Sequence, residues 1–165
     1  MGAALKESQT AAKAKPRRAQ GTAGLAMPTT ESEREGAAFM AQMAKDAVVA
    51  LEDRIERQEL LPSAEIQARL QITRQSLSIA VKAGRLFAIV GPSGKNYYPA
   101  FYADSRLDRR YLEKVCRALG GLPGTVKYHF FTSKSFYLGS KTPLEALVDG
   151  RLADVMVAAT ACAER

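Results

Sequence analysis

The polar side chains between positions 74 and 82 offer the clearest chemistry in this sequence. Guanidinium, amide, hydroxyl and ammonium groups follow one another there, and no acid interrupts them: Arg74, Gln75, Ser76, Ser78 and Lys82. Arginine and glutamine hydrogen-bond the edges of bases, whereas lysine and serine also bind phosphate oxygens. On one helix face, these groups would contact the bases and backbone of a nucleic acid.

The surrounding residues predict two short helices joined by a tight turn. The first helix would follow Ser63, interpreted as an N-cap after Pro62, and Gln71-Ile72 would form the turn. Thr73 is the next N-cap, and Gly84 would stop the second helix. The inward stripe of that helix would be Leu77, Ala80 and Val81. This order predicts a helix-turn-helix whose second helix enters a major groove.

A β-hairpin is predicted directly after the second helix. Residues 86–90 form an apolar run, 91–94 are turn residues, and 95–99 suit a return strand. Such a hairpin could act as a wing, with Lys95 at its tip on a phosphate. It could also close the small core, with three side chains packed inside: Phe87, Ile89 and Tyr97. We expect it to do both.

Length and composition limit the class of protein. The 165 residues suffice for one moderate domain or two small ones plus a tail, and 47% of them are hydrophobic. No apolar run reaches the length of a membrane span. The net charge of +7 and a pI near 9.6 favour a polyanionic partner. We therefore expect a protein of the bacterial cytoplasm that associates with the nucleoid.

The N-terminal third divides into a tail and a long helix. Residues 1–30 are basic and poor in bulky apolar groups, which predicts a disordered tail. Residues 31–60 show a helical period with an apolar stripe: Phe39, Met43, Ala47, Leu51 and Ile55. This helix could pack lengthwise on the rest of the chain or pair with its copy. Because many DNA-binding proteins of this size bind two half-sites as dimers, we expect a homodimer.

The C-terminal part is predicted to be entirely helical. Helices are expected over 109–119 and 152–163. Residues 125–132 fit either a helix or a strand, and a helix is favoured because the pattern downstream is helical. Asp108 would cap the helix over 109–119. A further helix would begin where Thr142 is the N-cap, Pro143 takes the first position and Glu145 completes a capping box, and Gly150 would end it.

From Leu61 to Arg165 the order of these parts resembles the Xre/MbcA/ParS-type antitoxins, which pair with RES-domain toxins. The resemblance rests on GRLF after the second helix, YPAF at the exit of the hairpin, and LGSKTPLEALVDGR before the last helix. It implies an N-terminal part that binds the operator of its own operon and a C-terminal toxin-binding domain. It also implies that residues of that domain act in packing and capping: Thr142, Pro143, Leu144, Leu147 and Gly150. The helix-turn-helix is also similar to those of excisionases and MerR-type regulators.

Catalytic groups are scarce in this sequence. His129 is the only histidine, and its aromatic neighbours favour a packed or interface position. Cys116 and Cys162 lack metal-ligand spacing, and two free thiols in a reducing cytosol are expected. The segment 91–95 resembles a phosphate loop but lacks its spacing. We expect neither an enzyme nor a bound metal or cofactor.

Together these features predict a mainly α fold with a small β-hairpin. The expected parts are a tail (1–30), a long helix (31–60), a winged or MerR-like helix-turn-helix (61–104) and a small helical partner-binding domain (105–165). DNA would be bound by Arg69, Thr73, Arg74, Gln75, Ser76, Ser78, Lys82, Arg85 and Lys95. The predicted function is transcriptional regulation by an antitoxin that binds double-stranded DNA and a cognate toxin. The alternative is an excisionase-like or architectural DNA-binding or adaptor protein of a mobile element.

Overall fold

The computed structural model describes residues 30–165. The disordered tail predicted for residues 1–30 lies outside the described residues, apart from Thr30. Residues 38–165 form one compact unit, and the residues up to Ala37 belong to another.

The described chain is mainly helical with a small antiparallel sheet, as the sequence predicts. The helices are α1 (Glu31–Glu56), α2 (Ser63–Leu70), α3 (Arg74–Lys82), α4 (Arg109–Ala118), α5 (Gly124–Thr132), α6 (Pro143–Val148) and α7 (Leu152–Ala163). The strands are β1 (Leu60–Pro62), β2 (Ile89–Val90) and β3 (Asn96–Pro99). Short 3-10 helices span Ala100–Ala103 and Phe136–Leu138.

The sheet contains a strand that the sequence analysis missed. The long helix was expected to continue to residue 60, but it ends at Glu56, and Gln58 then adopts a left-handed conformation with φ of 57°. Leu60 and Leu61 are almost fully buried and pair with β3, where Leu61 lies opposite Tyr98. The strand order is β1-β3-β2, so the predicted hairpin is extended by a third strand on its other side.

The predicted N-cap of α2 is wrong by one residue. Because β1 runs through Pro62, that residue takes the cap position in an extended conformation, and Ser63 is already helical. The hydroxyl of Ser63 accepts a hydrogen bond of 2.7 Å from Nε2 of Gln67, one turn further along. The Ser63 hydroxyl therefore stabilises the first turn of α2 by a contact with the Gln67 side chain and not by capping a backbone amide.

An aromatic cluster joins the sheet to the C-terminal helices. The ring of Phe87 stacks on Phe131 of α5 with centroids 6.1 Å apart, and Phe101 stacks on Tyr128 at 6.3 Å. Tyr102 is buried, and its hydroxyl accepts a hydrogen bond of 3.0 Å from the Phe87 amide. The aromatic residues after the hairpin therefore contribute to the core, and one continuous core extends from the sheet into the C-terminal helices.

The long helix α1 exposes most of its apolar stripe to solvent. No residue of α1 is buried, and Phe39 and Met43 are 64% and 53% exposed. Only Leu51 and Ile55, near its end, pack against the core. From Ala38 onwards, lengthwise packing of α1 on the rest of the unit is therefore not observed. No helix among the described residues is both long and apolar enough to cross a membrane.

The predicted caps of the C-terminal helices are confirmed. An Asp108 carboxylate oxygen accepts from the Arg110 amide at 2.8 Å and begins α4. The Thr142 hydroxyl accepts from the Glu145 amide at 3.2 Å, and the Glu145 carboxylate accepts from the Thr142 amide at 2.7 Å. This capping box begins α6, and Gly150 follows its end with φ of 76°.

Candidate nucleic-acid interface

The turn between α2 and α3 has a defined left-handed geometry. Gln71 has φ of 53° and ψ of 43°, and its amide donates to the Ala68 carbonyl. The amide of Ile72 donates to the Gln67 carbonyl at 3.1 Å, which closes the end of α2. A residue with a side chain rarely adopts this conformation. The turn at Gln71-Ile72 is confirmed, and it reverses the chain within a few residues so that α3 follows directly.

Thr73 anchors the N-terminal turn of α3. Its hydroxyl oxygen accepts from the Ser76 amide at 3.1 Å, and its hydroxyl proton is donated to Oγ of Ser76 at 3.0 Å. The predicted N-cap is therefore confirmed. Because Ser76 accepts in this contact, its own hydroxyl proton remains available to an acceptor on a ligand. Thr73 itself is occupied in positioning the helix.

The two faces of α3 differ in polarity. Leu77 and Ala80 are 1% exposed and hold the helix against the core. On the opposite face, side chains that are exposed to solvent recur at helical spacing: Gln75, Ser78, Ile79 and Lys82. Ile79 is 51% exposed and was not among the residues predicted to contact DNA. An exposed apolar side chain between polar ones can contact the methyl group of thymine.

The predicted cations near α3 occupy different environments. Arg74 is exposed and takes part in none of the ion pairs of the described residues, so its guanidinium is available to a ligand. Arg69 on α2 forms an ion pair with Glu65, so a phosphate would have to compete with this carboxylate. Arg85, just beyond α3, is partly buried. Arg74 and Lys82 are therefore the better placed cations.

The hairpin of β2 and β3 presents Lys95 to solvent. Val90 pairs with Asn96 next to the turn, and Val90 is 64% exposed, whereas Ile89 is buried. A Cβ on Gly91, at the base of the turn, would lie 2.5 Å from the Tyr97 ring, so a larger residue there would force this ring to move. The inner end of the hairpin is thus part of the core. Its outer end projects an exposed lysine and an exposed apolar side chain.

The residues of the expected partner-binding domain have structural roles in α6. Pro143 and Leu147 are buried, Leu144 is partly buried, and Thr142 caps the helix. Gly150 is exposed, and the Arg151 side chain that follows it donates to the Leu138 carbonyl at 3.1 Å. Most of these residues therefore pack or cap α6, and among them only Gly150 is exposed.

A groove of about 700 Å³ lies between α5, the 3-10 helix at 136–138 and α7, and we call it the C-terminal groove. Phe136 and Tyr137 project into solvent with 91% and 78% exposure, and Val157 of α7 is 72% exposed. His129 also lines this groove, with Nδ1 3.1 Å from the Ser133 hydroxyl. Sequence reasoning did not identify Tyr137 or Val157. In the sequence, the only indication of this surface was the aromatic pair Phe136-Tyr137 shortly before Gly139.

The described residues were searched for side-chain groups that could bind a metal ion. No group of three or more histidine, cysteine or acidic residues in this part of the chain could hold a metal ion. Both cysteines are free, as expected. Burial raises the pKa of Cys116 to about 11, so its sulfur stays protonated at neutral pH and is a poor nucleophile.

Comparisons with known proteins give no match: no family model, no curated protein and no solved structure is similar to this chain. Any functional assignment therefore rests on the geometry described above. That geometry comprises a capped, solvent-facing polar helix, a projecting hairpin, and a separate apolar groove.

Proposed function

We propose that this protein is a sequence-specific regulator that binds double-stranded DNA. In this proposal α2 and α3 form a helix-turn-helix, α3 enters the major groove, and the β2–β3 hairpin is a wing. The observation that carries the proposal is the solvent face of α3, which combines amide, hydroxyl and ammonium groups and contains no acid. A solvent-exposed helix face with these polar groups is typical of contacts to base edges.

The order of the elements supports the proposed wing. Strand β1 precedes α2, and β3 returns from the hairpin to lie between β1 and β2. This pairing ties the base of the hairpin to the start of α2. Helix and wing would therefore approach a duplex as one rigid unit, with Lys95 on a neighbouring phosphate.

The proposed roles divide between base and phosphate contacts. Gln75, Ser76 and Ser78 would contact base edges, and Arg74 would bind either a base or a phosphate. The phosphate contacts would come from Lys82, Arg85 and Lys95, with Arg69 contributing less because of its ion pair. We propose no catalytic step and no cofactor for this function.

Selection of bound duplexes from a random pool tests the proposal directly. Sequence-specific binding would enrich one motif, and a Gln75→Ala variant would weaken or change it at one or two positions. Lys45→Ala is the control, because Lys45 is an exposed residue of α1. A pool that stays random after several rounds would contradict sequence recognition. It would favour the alternative, an architectural or excisionase-like protein that binds DNA without regard to sequence.

We also propose that the C-terminal groove binds a protein partner, which would make the regulator an antitoxin. Phe136 and Tyr137 support this, because adjacent aromatic side chains at such exposure are typical of interface anchors. The partner proposed from the sequence is a cognate toxin, with a RES-domain toxin as the first candidate. Copurification from native cells tests this. A small stoichiometric partner that is lost in Phe136→Ala supports the proposal, and its retention contradicts it.

Homodimer formation through α1 completes the proposed function. Apolar residues of α1 that are exposed beyond Ala38 include Phe39, Met40, Met43, Val48 and Val49. Pairing with a second copy would bury this surface and would place two α3 helices on two half-sites. Sedimentation should give a dimer for the wild type and a monomer for Met43→Glu. A monomeric wild type would contradict this part.

A further inference from the structure

A second basic surface lies on α4, a helix separate from the proposed recognition helix. Arg110, Lys114 and Arg117 are exposed and lie at positions i, i+4 and i+7, so they share one helix face. The opposite face is fully buried: Leu112, Val115 and Leu119 are all 0% exposed. The three cations therefore occupy the centre of the solvent face, and we call them the α4 stripe.

No acid of the described chain neutralises the α4 stripe. Glu113, the acid of α4, is bound to Arg109 at 3.2 Å, and the Asp108 side chain caps the helix. None of the ion pairs in residues 30–165 includes a member of the stripe. Within the described part of the chain, these exposed charges therefore have no ion-pair partner.

The stability of α4 does not account for the stripe. Arg110 lies in the first turn, where the helix dipole repels a cation. Like charges three and four residues apart also repel one another, so Arg110, Lys114 and Arg117 together destabilise an isolated helix. Only Arg117, in the last turn, is favoured by the dipole. A bound polyanion would add an attraction to each cation and so offset these repulsions.

We propose that the α4 stripe binds the phosphate backbone of the same duplex, beyond the segment that α3 contacts. This inference rests on the proposed DNA-binding function and adds a second, sequence-independent contact surface. Seven residues of helix span about 10 Å, and adjacent members are about 5–6 Å apart at Cβ. A duplex carries one phosphate charge per about 1.7 Å of its axis over both strands, a density at which the three side chains could contact different phosphates.

The test compares two triple variants that lose the same charge. One is Arg110→Gln, Lys114→Gln and Arg117→Gln together; the other is Lys45→Gln, Lys134→Gln and Arg165→Gln together. The control residues are exposed. Lys45 is not one of the apolar residues proposed to pair α1 with its copy, and Lys134 and Arg165 line the C-terminal groove, whose protein partner is absent from this titration. Binding of the full chain is measured by fluorescence anisotropy over a range of salt concentrations. Two duplexes are used: one that covers only the selected motif, and one with long flanks. Circular dichroism verifies that each variant is folded.

We expect removal of the α4 stripe to lower the slope of log affinity against log salt by about 2–3 for the long duplex. The slope for the short duplex and the ratio of specific to random binding should stay unchanged. The control variant should keep most of its slope on both duplexes. Equal changes in the two triple variants, or no change in the α4 variant, would overturn the inference while wild-type binding stands. A wild type that binds no duplex would instead refute the proposed function itself.

Discussion

The solvent face of α3 and the C-terminal groove are both exposed, but they arise in different ways. The α3 face lies on one helix of nine residues, and its polarity follows from helical spacing within that segment. The groove is assembled from α5, the 3-10 helix and α7, which are separated along the chain. The α3 face should therefore be disrupted by changes that loosen the ends of this one helix. The groove should be disrupted by changes in the core that holds its three elements together.

The largest expected effect comes from the core that supports both surfaces. Phe131 is 0% exposed and stacks on Phe87, so we expect Phe131→Ala to lower the free energy of unfolding by about 3–5 kcal/mol. Phe136→Ala is the matched control, because this ring is 91% exposed. Urea denaturation measures both. Similar losses would contradict the assignment of one ring to the core and the other to the surface.

A close contact between α5 and the segment before β2 gives the next effect. A Cβ on Gly124 would lie 2.1 Å from the backbone oxygen of Ala88. We therefore expect Gly124→Ala to destabilise the fold by about 1–3 kcal/mol, as overpacking does. Gly121→Ala is its control, since a Cβ there meets nothing within 4 Å. Thermal unfolding measures the stability of both variants. A Gly124→Ala variant that is as stable as the wild type would refute this packing.

The side-chain caps of α3 and α6 allow the α3 face and the C-terminal groove to be tested independently. Thr73→Ala and Thr142→Ala each remove a side-chain cap, so each should cost about 1 kcal/mol in urea denaturation. Only Thr73→Ala should also weaken DNA binding, because Thr73 fixes the first turn of α3. Thr73→Ser retains the hydroxyl and should restore both properties. Equal losses of DNA affinity in the two alanine variants would show that the surfaces are not independent.

The smallest effect is a pH dependence at the start of α6. The Thr142 amide lowers the pKa of Glu145 below its usual value of 4.5. A lowered folded-state pKa stabilises the fold above the unfolded-state value, and this stabilisation is lost as the pH falls through the folded-state pKa. Wild type should therefore lose slightly more stability than Glu145→Gln between about pH 6 and about pH 3.5. If the stability of wild type and of Glu145→Gln changed equally with pH, an ionised Glu145 in the capping box would be contradicted.

Local signals in the sequence were sufficient for the helix starts at Thr73, Asp108 and Thr142, because a cap depends on only a few neighbouring residues. They did not predict β1, since Leu60 and Leu61 continue an apolar pattern and become a strand only through pairing with β3. They also missed Ile79, because apolar residues on a helix are expected to face the core. The groove could not be predicted, since it forms only when α5 and α7 pack in the fold.

Base discrimination by α3 is the most direct test of the proposed function. Wild type, Gln75→Ala and Lys95→Ala are titrated against the selected duplex and its single-base variants. We expect Gln75→Ala to cost about 1–3 kcal/mol on the selected duplex and to lose discrimination at one base pair. Lys95→Ala should weaken all duplexes alike and lower the salt slope by about one. If Gln75→Ala left both affinity and discrimination unchanged, α3 would not be the recognition helix.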